Sequence, residues 1–318
     1  MDTIAILLPV FNEEKSINKL VNEIEKIHIE VRKKHEIDFC LVFIDDGSVD
    51  RSPEMIKSLN TRFKIHFISL SRNFGKEAAI SAGLEACKNY EAVIIMDADL
   101  QHPIALIKDL IDKFKTNKVD MVYTYKVNRE TESALQRLFS KLFYYLINVN
   151  NRYHIPQNAG DFRIMSKSVV NAILKLPENE RFMKGLYAWV GFRSMGISFE
   201  PEDRKYGKSF FSLWQLLLLS IDGLTSFSIA PLRFMSATGM LISLFSAVYF
   251  IYIVIERVFL NTATPGLASV FCLISFFGGI QLICLGIIGE YIGKILLETK
   301  KRPTFIIKEN LILTQDDN

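Results

Sequence analysis

An α/β domain built on a mostly parallel sheet with helices on both faces, followed by a membrane hairpin, is the architecture this sequence predicts. Three observations carry the prediction. Residues 3–125 alternate short apolar runs with stretches of helical spacing, the βαβ rhythm of a sheet covered on both sides. The first four apolar runs all end in polar residues, most with carboxylates. Residues 236–255 and 266–288 carry no charged side chain, and each is long enough to cross a hydrocarbon core of roughly 30 Å.

The chain has 318 residues, room for two domains or one domain with an appendage. Its net charge of +3 gives no electrostatic reason to expect nucleic acid. Hydrophobic residues make up 49% and the mean hydropathy is +0.19, high for a fully soluble protein, with the surplus near the C-terminus. Cys40, Cys87, Cys272 and Cys284 form no Cys-x-x-Cys pair, so neither a disulfide framework nor a zinc site is expected, and a reducing compartment fits. Met1-Asp2-Thr3 offers no basic region, so the apolar run after it reads as a strand rather than a signal peptide.

Taken in order, strands are expected at 4–8, 39–44, 64–70, 92–96 and 121–125. Helices are expected at 15–32, 53–60, 76–87 and 104–114. No Gly-x-Gly-x-x-Gly follows the first strand and no Gly-Lys-Ser/Thr loop occurs, which removes the main support for a dinucleotide fold or a P-loop. Residues 133–150 place Leu135, Leu138, Phe139, Leu142, Phe143 and Leu146 on one helical stripe, with Arg137 and Lys141 off it. That stripe suits a core helix or a helix on a membrane surface. Residues 210–234 are rich in Phe and Leu but include Asp222, and read as an in-plane amphipathic segment.

The loop joining the two spans has Arg257 as its only basic residue. Arg204, Lys205, Lys208 and Arg233 precede the spans, and Lys294, Lys300, Lys301, Arg302 and Lys308 follow them. The positive-inside bias places both termini in the cytoplasm. The expected division is a cytoplasmic domain at 1–209, a juxtamembrane segment at 210–234, a hairpin at 235–290 and a cytoplasmic tail at 291–318. Gly278, Gly279, Gly286, Gly289 and Gly293 offer small faces for helix packing, within the hairpin or between copies in a homo-oligomer.

The chemistry gathers at the strand ends. After the first strand comes Pro9-Val10-Phe11-Asn12-Glu13-Glu14, and after the second Asp45-Asp46-Gly47-Ser48. After the third comes Ser71-Arg72-Asn73-Phe74-Gly75-Lys76, and after the fourth Asp97-Ala98-Asp99-Leu100-Gln101-His102-Pro103. In a parallel sheet these ends share one edge, where open α/β sheets bind ligands. Each alone is turn chemistry. Together they supply the carboxylate oxygens that hard divalent cations and phosphate-bearing substrates use. Arg72 and Lys76 can complement substrate phosphates.

These motifs, with Gly160-Asp161-Phe162-Arg163, resemble the family-2 inverting glycosyltransferases of GT-A fold. Within that family the chain looks like the polyprenyl-phosphate sugar synthases, among them dolichyl-phosphate mannose synthases and bactoprenol glucosyltransferases. The likeness covers roughly residues 3–230, and the two spans match the bactoprenol type. The resemblance implies that Pro9, Phe11, Glu13, Ile44 and Asp46 line the nucleotide. It implies that Lys76, Ala98 and Arg204 also face the donor, and that Asp97, Asp99 and Gln101 hold Mg²⁺ or Mn²⁺ against its diphosphate. It makes Asp161 the base-like residue beside the acceptor phosphate. Arg137, Lys141, Arg163, Arg181 and Lys184 are candidates for phosphate contacts.

The stretch Arg204-Lys205-Tyr206-Gly207-Lys208-Ser209-Phe210 is similar to the family's Arg-x-x-Gly-x-Ser-Lys loop, with Phe210 at the Lys position. Lys205 or Lys208 then supplies that cation, or the loop closes differently. The Gln-x-x-Arg-Trp motif of processive members is missing around Glu180-Arg181-Phe182. The expected reaction is therefore transfer of one sugar from a nucleotide sugar, UDP-linked by resemblance, to polyprenyl phosphate at the cytoplasmic membrane face. The alternatives are another lipid or glycan acceptor, or a non-catalytic membrane scaffold.

Overall fold

A computed structural model describes residues 2–126, 144, 148, 154–157, 159–179, 181–199, 230–260 and 266–313. Its strands are β1 (Asp2–Val10), β2 (Ile37–Asp45), β3 (Lys64–Leu70), β4 (Ala92–Ile95), β5 (Met121–Lys126), β6 (Ala159–Ser166), β7 (Ser194–Phe199) and β8 (Ile307–Leu313). The helices are α1 (Ile17–His35), α2 (Ser52–Lys57), α3 (Lys76–Cys87), α4 (Leu106–Asn117), α5 (Lys167–Leu174), α6 (Met183–Trp189), α7 (Ala230–Leu260) and α8 (Leu267–Thr299). The chain divides into two compact units, one holding the sheet and the other holding α7 and α8.

The strands form one sheet in the order β7-β5-β6-β4-β1-β2-β3-β8. Pairings β1–β2, β1–β4, β2–β3 and β5–β7 are parallel, whereas β6 lies antiparallel to β4 and β5, and β8 antiparallel to β3. Six strands thus run one way and two the other. The five expected strands are present, each within a few residues of its predicted limits. The middles of central strands β1 and β2, and all of β4, are apolar because both faces are covered. On one face Ile6, Leu8, Leu41, Phe43 and Ile94 meet Leu20 and Ile24 of α1, Ile56 of α2 and Ile107 and Leu110 of α4. On the other face α3 lies so close that a Cβ on Gly83 would fall 2.0 Å from Leu7 Cδ1.

Two expectations change. Residues 291–318 are read from sequence as a tail. Instead α8 continues to Thr299, and Ile307–Leu313 pairs with β3 as an edge strand. The pairing is reinforced by Lys57 Nζ on Glu309 Oε2 at 2.6 Å and by Ser71 N–H donating to Ile306 O. The reason is the unfilled edge of β3, whose backbone groups find partners in the returning chain. Second, α7 and α8 overrun the predicted spans of 236–255 and 266–288, with 31 and 33 residues. At 1.5 Å per residue, both exceed the bilayer core. They contain apolar windows Leu232–Tyr249 and Phe276–Thr299, long and apolar enough to cross a membrane. The hairpin unit exposes Phe234, Phe245, Leu282 and Ile283 at 65–74%. The expected helix at 133–150 falls almost wholly outside the described residues, as do 201–229.

Candidate active site

The loops after β1 and β2 are tied to each other. Asn12 N–H donates to Ser48 Oγ at 3.0 Å, Val49 N–H to Asn12 Oδ1 at 2.9 Å, and Glu13 N–H to Ser52 Oγ at 2.8 Å. Buried Asp45 accepts from Ser48 N–H at 3.0 Å and from Ser69 Oγ at 2.8 Å, joining β2 to β3. Asp46 accepts from Phe74 N–H at 2.8 Å and Gly75 N–H at 2.9 Å, which holds the β3–α3 loop against β2. Gly47 stands between these loops at φ +71°, and a Cβ there would lie 2.5 Å from Arg72 C. Only glycine meets both demands.

The ties shape a cleft of ≈ 290 Å³ bordered by Pro9, Phe11, Glu13, Asp46, Lys76, Asp97, Ala98 and Asp99. Eight of the sequence-predicted donor and metal residues therefore meet in one place, and Asn73 and Gly75 of the third strand-end motif join them. Ile44 does not. It is fully buried within β2, and its place in the sheet core denies it the cleft. Arg204 lies outside the described residues.

Strand β6 closes the arrangement. Its antiparallel register sets Arg163 opposite Ile95 of β4, so Asp161, near the start of β6, arrives beside the residues that follow β4. Lys76 Nζ lies 2.7 Å from Asp97 Oδ1 and 2.7 Å from Asp161 Oδ2. One ammonium thus joins a cleft carboxylate to the Asp161 carboxylate. Burial opposes the charge on Lys76, but Asp161 and Asp97 together raise its pKa above the ordinary value. Burial also pushes Asp97 upward, yet His102 and Lys76 outweigh it and hold Asp97 down at about 2.

The neighbouring carboxylates behave differently. Burial raises the pKa of Glu13, against the lowering bond from Ser16, and Asp99, Asp50 and Asp97 add repulsion. Asp99 accepts from Gln101 N–H at 3.1 Å and from Gln101 Nε2 at 2.5 Å, with Leu100 between them in the left-handed region at φ 59°. Glu77, the residue after Lys76 to which sequence reading gave no role, accepts from Met183 N–H at 3.3 Å. Burial, then Asp161, pushes its pKa up to about 7.

The proposed phosphate residues scatter. Arg181 Nε donates to Glu178 O at 3.2 Å, Nη2 to Leu176 O at 3.1 Å and Nη1 to Ser81 Oγ at 3.4 Å. It clips the loop before α6 to α3, because nearby carbonyls have taken its donors. Arg163 is not a surface cation either; at 3% exposure it lies inside the domain. Together with Lys184 it lines a second, smaller cavity. Arg137 and Lys141 lie outside the described residues.

Residues 5–174 match the family described as glycosyl transferase family 2. An uncharacterized glycosyltransferase of Synechocystis sp. is 39% identical over 307 residues, spanning 96% of this chain and 95% of the relative. The bactoprenol glucosyl transferase of Shigella phage SfX is 40% identical over 309 residues, 96% of this chain and 98% of the relative. The prophage bactoprenol glucosyl transferase homolog of Escherichia coli is 38% identical over 309 residues, with the same coverage. The chain belongs to glycosyl transferase family 2 and is a glycosyltransferase of GT-A-like fold.

Proposed function

We propose that this glycosyltransferase moves one hexose from a nucleoside diphosphate sugar onto polyprenyl phosphate, inverting the anomeric carbon. UDP-glucose is the first donor to test. The acceptor reading draws on relatives that bear the name bactoprenol glucosyl transferase and align over nearly their whole length. The two apolar helices suit an enzyme whose lipid substrate keeps its phosphate at a membrane surface. The observation that carries the reaction is the Lys76 bridge, one ammonium 2.7 Å from both Asp97 and Asp161.

Mg²⁺ or Mn²⁺ fits the chemistry of the cleft. Its donors are oxygens, and burial, with added repulsion from Asp99, Asp50 and Asp97, raises the pKa of Glu13. Among the described residues, no three His, Cys, Asp or Glu side chains converge on one metal-sized point. Asp97, Asp99 and Gln101 would therefore hold the ion jointly with the donor's phosphates. Bound there, the ion would offset the negative charge that grows on the departing diphosphate.

The chain's own residues do the rest. An oxygen of the acceptor phosphate attacks the anomeric carbon, the bond to the diphosphate breaks, and its electron pair leaves on the diphosphate oxygen. An ionised phosphate needs little deprotonation, so Asp161 acts mainly by aligning it. Lys76 keeps Asp161 in step with the donor cleft. By charge asymmetry around α7 and α8, the catalytic unit and both termini belong on the cytoplasmic face.

The test uses the full chain in detergent with undecaprenyl phosphate, a divalent cation and a panel of nucleotide sugars, following release of nucleoside diphosphate. Turnover with one donor is expected, lost on adding EDTA and reduced at least about 100-fold by Asp99→Ala. Donor hydrolysis without lipid product would move the acceptor elsewhere. No turnover with any donor would sink the proposal.

A further inference from the structure

The second cavity does not belong to the donor cleft. It measures ≈ 80 Å³ and is bordered by Tyr123, His154, Arg163, Lys184, Tyr187 and Ser194 together with apolar residues, none of them acidic. That is room for several waters or one tetrahedral oxyanion.

Its polar atoms are unusual. Arg163 Cζ lies 3.5 Å from the centroid of the Tyr187 ring and 6.0 Å from that of Tyr123. This stack fixes the guanidinium plane. Nη2 donates to Gly160 O at 2.5 Å and Nη1 faces Met121 Sδ at 3.5 Å, but Nε–H has no partner. The Tyr187 hydroxyl, on a residue 3% exposed, has none either. Buried donors left without acceptors are rare, and two on stacked side chains at one cavity call for an acceptor.

We propose that this cavity is a phosphate site, with Arg163 and Tyr187 donating to the anion and Lys184 adding positive charge. Arg163 follows Asp161 by two residues on β6, about 7 Å along the strand. Asp161 itself does not border the cavity, and its Oδ2 is already tied to Lys76. Burial lowers the pKa of Arg163 from its ordinary value, yet a guanidinium keeps its charge in proteins. Burial raises that of Tyr187, which keeps the phenol a neutral donor. The anion is either the headgroup of the lipid acceptor, which rests on the function proposed above, or free phosphate acting on the enzyme.

The experiment is calorimetric or ³¹P NMR titration of the full chain in detergent with inorganic phosphate. Tyr187→Phe keeps the stack and removes one donor, and Lys184→Gln alters a part-exposed position without opening the core. Each variant is expected to bind phosphate about ten-fold more weakly. Equal affinity in the wild type and both variants, or no binding at all, would mean the cavity holds only water and overturns the proposal.

A second arm adds nanodiscs containing polyprenyl phosphate or dephosphorylated polyprenol. Displacement of phosphate by the former alone assigns the site to the acceptor headgroup. Continued phosphate binding that remains sensitive to Tyr187→Phe assigns it to free phosphate. Nucleoside diphosphate release is read separately. Its failure with phosphate binding intact removes the acceptor reading and leaves the anion site standing.

Discussion

Lys76 is where Asp97 of the cleft and Asp161 of β6 meet. Its ammonium sits between Asp97 and Asp161, so a neutral side chain there removes the counter-ion the two carboxylates share. Lys76→Met is expected to lower kcat about 100-fold with a smaller effect on donor KM, and Lys76→Arg to restore part of it. Steady-state kinetics with both substrates varied checks this. Glu77 offers a pH test. Burial and Asp161 raise its folded pKa from 4.5 to about 7, so the folded protein holds a proton that the unfolded chain releases. Its contribution is full below pH 4.5 and is lost as pH rises through about 7, at most about 3 kcal/mol. Glu77→Gln should therefore gain stability relative to wild type between pH 5 and 8, as read from melting curves. A constant difference would exclude this titration. The carboxylates at strand ends were legible in the sequence because few roles other than cation or phosphate chemistry gather so many acids. Ile44, Arg163 and Arg181 were not, because burial and the local carbonyls that claim a guanidinium depend on chain segments far apart in sequence.

At the scale of elements, the loops after β2 and β3 decide the shape of the cleft. Gly47→Ala places a Cβ against Arg72 and forces a side chain into the left-handed region. A loss of about 1–3 kcal/mol in stability is expected, together with a raised donor KM. Wild-type donor affinity in this variant would show that the loops are not coupled. Strand β8 makes a second test. A chain ending at Pro303 loses the whole β3–β8 ladder and the Lys57–Glu309 pair, exposing the β3 edge. Its melting temperature should fall by at least about 5 °C, with aggregation at the open edge. The parallel strands were readable as apolar runs with turn residues after them. Strands β6, β7 and β8 gave weaker signals, since β7 and β8 are edge strands with part-exposed faces and β6 carries Asp161 and Arg163 inward.

For the whole molecule, the prediction concerns sidedness. If charge asymmetry sets the orientation, single cysteines placed at Lys301 and near the N-terminus are labelled by impermeant maleimide only in inside-out vesicles. Labelling of either in right-side-out vesicles contradicts the proposed topology. The sequence by itself determined the family, the parallel half of the sheet, the two apolar helices and the acidic cleft. All of these follow from periodicity and from short motifs whose residues are neighbours in the chain. The tertiary structure alone decided that Asp161 reaches Lys76, that Arg163 is buried beside Tyr187, and that the chain after α8 returns to the sheet as β8. Each is a long-range contact whose geometry is fixed by strand direction and register, quantities that no local pattern of residues encodes.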